Sequence, residues 1–169
     1  MTTSFFKANH YNMQHMYNIY DTNEEIHKLK INENSILDFL LKRKQYFSNF
    51  LSLIFKSSYE KFLNDIEYTN ITLFLPINEG FKNFNINNIN KSRAIELVSS
   101  CILNDRIISE IFQTTKAAYY FSRNRSNKIL LQIDDKITIN KDIIVLQKNI
   151  NLENGIIYII NKPIMPYLI

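Results

Sequence analysis

The chain has 169 residues, 46% of them hydrophobic, and includes 12 phenylalanines and 10 tyrosines. This composition predicts one folded domain with a sizeable core and excludes a largely disordered chain. Only two glycines are present, Gly80 and Gly155. They exclude a Walker loop and a dinucleotide fingerprint, because each needs two or three glycines within a few residues. The net charge of +4 permits a phosphate-bearing partner without requiring one.

The first 34 residues are polar and weakly periodic, so we interpret 1–34 as an N-terminal extension and 35–169 as the folded domain. The extension holds all three histidines, His10, His15 and His27. No two of them are spaced to share a helical face, so we expect no metal site there. The amino end lacks the apolar stretch of a secretory signal, and no apolar run reaches the length of a membrane span. We therefore expect an intracellular, organellar or virion-associated protein without a transmembrane segment.

Apolar residues at helical spacing predict three helices at the start of the domain. Ser35 is a candidate N-cap for the first helix, because its hydroxyl can accept a hydrogen bond from a free amide of the first turn. The apolar positions are Ile36, Leu37, Leu40 and Leu41 in the first helix, Phe47, Phe50, Leu51 and Ile54 in the second, and Tyr59, Phe62 and Leu63 in the third. We expect the aromatic residues among them to belong to the core rather than to a ligand site.

The middle of the chain contains one predicted strand and a further helix. Residues 71–75 are rich in strand-forming side chains and are followed by Pro76, which ends the strand. Residues 82–91 are predicted as a polar loop. A helix from Ser92 has Ala94, Ile95, Leu97, Val98, Cys101 and Ile102 as its apolar face, and a shorter helix or turn carries Ile107, Ile108, Ile111 and Phe112.

Beyond Thr114 the hydrophobic period changes to two, which predicts strands. Ile137 and Ile139 fall on one face of a predicted hairpin around Asp134-Asp135. The predicted strands are residues 128–133 and 136–140, which form the hairpin, and residues 143–146 and 156–160, which precede Pro163 and Pro166. Helices followed by strands predict an α+β domain.

Two separated blocks of the sequence resemble the two signatures of fasciclin (FAS1) domains. Residues 72–81, TLFLPINEGF, resemble the first signature, and residues 154–166, NGIIYIINKPIMP, resemble the second. The resemblance covers residues 35–166 and implies the FAS1 fold, a β-sandwich or wedge flanked by several helices. It marks as structural signature positions Thr72, Phe74, Pro76, Glu79, Phe81, Asn154, Gly155, Tyr158 and Pro166.

The signatures carry three expectations about backbone and charge. Glu79 is expected in a turn leading into a helix, where a carboxylate suits the amide dipoles. Asn154-Gly155 is expected to form a turn with positive φ at the start of the last strand. Gly80 stands where the family usually has alanine, so we expect it to be a tolerated replacement.

The resemblance implies a non-enzymatic module that binds proteins, mediates adhesion or serves as a structural part, alone or as a subunit of a larger assembly. The chain departs from the family at Ser100-Cys101, where a Tyr-His pair is usual. We find no catalytic, metal-binding or cofactor motif, so we expect no enzymatic activity and no cofactor. Cys101 is interpreted as an inert core thiol, and Glu79 and Glu96 are not expected to act as an acid–base pair.

Residues 119–128, YYFSRNRSNK, support a second hypothesis, a nucleic-acid-binding accessory protein. They interleave aromatic residues with cations such as Arg123 and Arg125, and these groups bind single strands by stacking and by charge. In a FAS1 fold, however, this stretch is expected to be a connection into the sheet with its aromatic side chains in the core. A protein is therefore the favoured partner.

Overall fold

A computed structural model of the chain describes residues 29–111, 115–125 and 127–166. The three histidines and most of the predicted extension lie outside these ranges, as does Phe112. Leu29 and Ile31, at the end of the extension, pack against the core. The side chain of Asn32 donates a hydrogen bond to the carbonyl of Asn64 at 2.7 Å. The boundary between residues 34 and 35 stays a prediction.

The described part of the chain opens with three α-helices: α1 (Ile36–Lys42), α2 (Lys44–Ser57) and α3 (Glu60–Asn64). They correspond to the three predicted helices. The Oγ atom of Ser35 accepts a hydrogen bond from the amide of Asp38 at 3.1 Å, which confirms the predicted cap of α1. The predicted apolar faces of α1 and α2 are buried.

The next elements are β1 (Ile71–Pro76), two 3-10 helices (Asn78–Phe81 and Ile86–Asn88), α4 (Lys91–Ser100) and β2 (Ile102–Leu103). Asn90 caps α4 by accepting a hydrogen bond from the amide of Arg93 at 2.8 Å, so the helix begins one residue before the predicted start. The prediction assigned two residues wrongly to the buried face of this helix. Ile95 is 38% exposed, and Ile102 pairs with Leu73 of β1. The burial of Ile102 comes from the sheet, and a helical period cannot reveal that.

A 3-10 helix, Ser109–Ile111, stands where the sequence predicted a short helix or turn. Ile107 is buried beside it, whereas Ile108 and Ile111 are 41% and 47% exposed. The apolar spacing therefore predicted the element correctly. Of the three described isoleucines that it placed on the apolar face, only Ile107 is buried.

The remaining strands are β3 (Ala117–Phe121), β4 (Lys128–Ile133), β5 (Ile137–Ile139), β6 (Ile143–Asn151) and β7 (Gly155–Ile160). The described strands form one seven-stranded sheet in the order β2-β1-β7-β6-β5-β4-β3. β1 and β7 run parallel, and the other neighbouring pairs are antiparallel. Helices and a sheet in one chain confirm the predicted α+β class.

β6 is longer than predicted, since it continues past residue 146 to Asn151. Its pairing with β7 shifts register between Val145 and Gln147 and again between Gln147 and Ile150. Such irregularities bend a strand and interrupt the alternation of side chains. A sequence pattern of period two therefore identifies only the part of β6 before the first register shift.

The two edges of the sheet meet at one point. The amide of Arg123, just after β3, donates a hydrogen bond to the carbonyl of Ile102 in β2 at 2.7 Å. Part of the core lies between the helices and the central strands, where α2 contacts β1 and α1 contacts β7. Among the described residues, no helix has the length and apolar character needed to cross a membrane.

Candidate functional site

The two signature blocks lie side by side in the middle of the sheet. Ile71 is opposite Gly155, and Phe74 is opposite Tyr158, along the parallel pair β1–β7. Every residue of both strands is buried. This position gives the two strands the near-continuous apolar sequence that is typical of strands covered on both faces.

Thr72, Phe74 and Tyr158 hold this pair of strands against the segment that follows β2. The hydroxyl of Thr72 donates to the carbonyl of Asp105 and accepts from the amide of Ile107 at 3.0 Å. The hydroxyl of Tyr158 donates to the carbonyl of Ile107 at 2.6 Å, and its ring contacts that of Phe74 with centroids 5.6 Å apart. Burial raises the pKa of Tyr158, with further contributions from Glu110 and Tyr120. These side chains are therefore committed to internal bonds.

Asn154 joins two helices to the last strand. Its side chain is fully buried. Its Oδ1 accepts from the amide of Ile36 at the start of α1 at 2.9 Å, and its Nδ2 donates to the carbonyl of Leu63 in α3 at 2.8 Å. An amide side chain can satisfy both groups because it is acceptor and donor at once.

The expected positive-φ turn at Asn154-Gly155 is wrong. Neither glycine of the chain has a positive φ, and Gly155 is the first residue of β7. A Cβ atom at Gly155 would lie 2.3 Å from the carbonyl oxygen of Ile71 and 3.0 Å from a methyl carbon of Ile36. Glycine is required there because β1 approaches too closely for any side chain.

The expectation that Gly80 is a tolerated replacement is also wrong. A Cβ atom at Gly80 would lie 2.6 Å from the carbonyl oxygen of Asn161 and 2.6 Å from the Cα of Lys162. The 3-10 helix of the first signature therefore packs directly on the backbone that follows β7. A side chain at this position would push the two signatures apart.

The other signature residues divide between core and surface. Pro76 ends β1, and Pro166 is buried after β7. Phe81 is buried against Phe50, with ring centroids 6.5 Å apart. Glu79 lies in the first turn of its 3-10 helix with an exposed side chain, 3.7 Å from Lys82. Apart from Glu79, the signature positions are internal and are not groups that could meet a partner.

Cys101 has the surroundings of a core residue. The thiol is fully buried, and burial raises its pKa to about 12. Glu96 pairs with Arg93 of its own helix at 2.8 Å. No cluster of three or more histidine, cysteine, aspartate or glutamate side chains that could hold a metal occurs within the described ranges.

The surface feature that sequence reasoning missed is β3. Residues 119–121 were expected in a connection into the sheet with their aromatic rings in the core, but all three lie in the strand β3 and two of the rings are exposed. Tyr119 is 60% exposed and Phe121 is 65% exposed, while Tyr120 between them is half-buried against the core. The exposure of residues 117–121 alternates as in a strand, but the exposed face carries aromatic residues where polar ones are usual, so the sequence AAYYF shows no alternation of polar and apolar residues.

Two hollows flank the exposed rings. A cleft of about 550 Å³ separates Leu103 and Asp105, at the end of β2, from Phe121 and Arg125. On the other side of β3, a hollow of about 390 Å³ is lined by Tyr119, Asn127, Lys128, Leu130, Lys141 and Met165. The ammonium group of Lys128 lies 4.1 Å from the centroid of the Tyr119 ring.

Arg123 and Arg125 have different surroundings. The guanidinium of Arg123 stacks 4.0 Å from the centroid of the Phe62 ring and donates to Asn104 at 2.7 Å. Arg125 lies in the turn after β3, is exposed and lines the cleft. Arg123 therefore has a packing role, and Arg125 is the one of the two that a ligand could reach.

Comparison with known proteins agrees with this arrangement. The Fasciclin domain family profile matches residues 45–166. Among solved structures, a FAS1 domain pair from the insect cell adhesion molecule fasciclin I is 16% identical and superposes with a TM-score of 0.63. The match covers 79% of this chain and 51% of that one, so this chain spans about half the length of the domain pair. No curated protein was found to match the sequence.

The superposition supports the predicted fold, and the profile covers both signature blocks. The chain therefore belongs to the fasciclin (FAS1) domain family, which is known for adhesion and protein-binding modules.

Proposed function

We propose that this chain is a non-enzymatic module that binds a protein partner, as an adhesion domain or as a subunit of a larger assembly. The observation that carries the proposal is the exposure of Tyr119 and Phe121 on an edge strand of a FAS1 domain. Aromatic residues are enriched at protein interfaces and supply much of their binding energy.

Two further observations support a role in binding rather than catalysis. Members of this family are generally non-enzymatic adhesion modules. In the described part of the chain the one thiol is buried with a raised pKa, so it has neither the access nor the ionisation of a nucleophile.

The test is direct binding to a purified partner. The full chain is immobilised and exposed to extract of its native source, and the retained protein is identified by mass spectrometry, purified and titrated against the chain. We expect saturable binding that weakens about tenfold or more in a variant combining Tyr119→Ala and Phe121→Ala. Lys148→Ala, at an exposed position on β6, is the control and should bind as the wild type does. If no retained protein binds directly after purification, the proposal fails.

A nucleic-acid-binding role is the second candidate, because the same rings are exposed beside Arg125 and Lys128. Binding of a single-stranded thymidine oligonucleotide would then fall steeply with salt and fall further in a variant combining Arg125→Ala and Lys128→Ala. Arg123→Ala is unsuitable for this test, because it would also remove the stacking on Phe62 and the hydrogen bond to Asn104. Absence of binding at low salt would exclude this candidate.

A further inference from the structure

β3 has one open backbone edge. The amide of Ile133 donates a hydrogen bond to the carbonyl of Lys116, and the amide of Ser122 donates one to the carbonyl of Asn127. The even-numbered residues of β3 and its ends therefore bond to β4. In an antiparallel pair the alternate residues turn their amide and carbonyl groups outward. Ala117, Tyr119 and Phe121 therefore direct these groups away from the sheet, and no described strand lies beside them.

The open edge faces the other edge of the sheet across the cleft. Arg123, the next residue of the outward-facing series, donates its amide to Ile102 of β2, which closes the cleft at one end. From Phe121 back to Ala117 the edge stays unpaired by any described residue. Five residues of strand span about 16 Å, which is enough for an extended segment to pair along it.

The side chains around this edge favour an acidic ligand. Arg125 lines the cleft, and Lys128 and Lys141 line the hollow beside Tyr119. None of these three cations takes part in an ion pair within the described chain. Asp105 is the one carboxylate among the described residues that line the two hollows. The charge at the edge is therefore positive.

The same geometry disfavours a nucleic acid as the ligand. Lys128 lies over the Tyr119 ring at 4.1 Å from the centroid, so one face of this ring is already occupied and is not open to a stacked base. A single strand would also leave the outward amide and carbonyl groups of β3 without strand partners. An added peptide strand pairs with these groups and places alternate side chains beside the two rings.

We propose that the edge of β3 from Ala117 to Phe121 binds an extended, acidic peptide segment of a partner protein as an additional strand. The added strand fills the cleft between β3 and β2 and places its carboxylates beside Arg125 and Lys128. This inference rests on the proposed protein-binding function and specifies the surface and the chemistry of the partner segment.

The experiment uses the full chain and a library of short random peptides displayed on phage. We expect selected peptides to be rich in aspartate and glutamate alternating with strand-forming residues. Binding of one selected peptide should slow hydrogen exchange at the amides of Ala117, Tyr119 and Phe121, measured by NMR, because these amides gain partners. A library that returns no acidic peptides, or a selected peptide that leaves these three amides unprotected, overturns the inference.

Variants separate backbone pairing from side-chain contact. Tyr119→Pro removes the outward amide without touching a bond to β4, and Tyr119→Ala removes the ring but keeps that amide. We expect the proline variant to bind the selected peptide at least about fivefold more weakly than the alanine variant. Lys128→Gln should weaken binding about threefold, whereas Lys148→Gln, which removes the same charge from β6, should not. Equal binding by the proline and alanine variants contradicts strand addition.

A thymidine oligonucleotide is the competing probe. If it displaces the peptide and loses affinity in Tyr119→Ala, the surface is a nucleic-acid platform and the inference fails. If the purified partner of the previous section binds wild type and Tyr119→Pro equally, this inference fails while the proposed function stands. If no protein binds directly, both fail.

Discussion

Gly80 and Gly155 are fixed by the backbone of neighbouring segments and not by their own torsion angles. Each lies where a Cβ atom would overlap main-chain atoms of the other half of the structure, Ile71 for Gly155 and Asn161-Lys162 for Gly80. Main-chain atoms of a central strand cannot yield as the end of a flexible side chain can. Gly80 is therefore a contact position between the two signature blocks, and Gly155 is one between β1 and β7.

Gly155→Ala is expected to lower the free energy of unfolding by about 3 kcal/mol, because the added methyl group overlaps the carbonyl of Ile71. Gly80→Ala should also destabilise the protein. Urea denaturation followed by circular dichroism gives both values. Ala117→Ser, which adds one atom at the open edge of β3, is the control and should change stability by less than about 0.5 kcal/mol. A Gly155→Ala variant as stable as the wild type would contradict the observed approach of β1 and β7.

At the scale of elements, Asn154 decides how α1 and α3 are fixed to the sheet. Its side chain pairs with Ile36 at the first turn of α1, where amides have no partner within the helix, and with the carbonyl of Leu63 near the end of α3. One buried amide thus satisfies the ends of two helices at the beginning of β7.

Asn154→Ala is expected to cost about 3 kcal/mol of stability, because two buried backbone groups lose their partners. The exposed Asn151→Ala, at the end of β6, removes a bond to Arg106 and should cost no more than about 0.5 kcal/mol. Thermal and urea denaturation of the two variants give the comparison. Equal losses in the two variants would show that the buried amide has no special role.

The elements that could be predicted are those with one environment along their whole length. α2 buries one face, α1 is buried along almost its whole length, and β1 and β7 are buried throughout, so period or apolar content identifies them. β3 was missed because its outward face carries Tyr119 and Phe121. The full length of β6 was missed because two register shifts break its alternation. The requirement for glycine at position 155 was predicted correctly but for the wrong reason, and Gly80 was wrongly expected to be replaceable, because the local sequence does not reveal how closely distant backbone segments approach.

At the scale of the whole molecule, burial of ionisable groups ties stability to pH. The folded state raises the pKa of Cys101 from 9.0 to about 12, through burial that outweighs a hydrogen bond to the backbone of Ile164. It also raises the pKa of Tyr158 above its ordinary value of 10.0. Because both folded pKa values are raised, their stabilising contributions are complete below the unfolded values and are lost as pH rises toward the folded ones.

The free energy of unfolding is therefore expected to fall as pH rises from about 9 toward about 12, with Cys101 contributing up to about 1.4 kcal/mol per pH unit. Urea denaturation at several pH values in this window measures the slope. Cys101→Ala should be less stable at neutral pH but should lose stability more gradually as pH rises. Parallel pH dependences for the two proteins would show that the thiol is not protected in the folded state.

The parallel pair β1–β7 also determines when this chain can fold as it is synthesised. β7 is the last strand of the described sequence, yet it lies between β1 and β6 in the middle of the sheet. Until residues 155–160 have left the ribosome, β1 and β6 lack the strand that joins them, and Ile36 and Leu63 lack Asn154. Pairing between segments about eighty residues apart is slow, and incomplete chains expose unpaired strand edges. The nascent domain therefore depends on protection from aggregation until β7 has emerged.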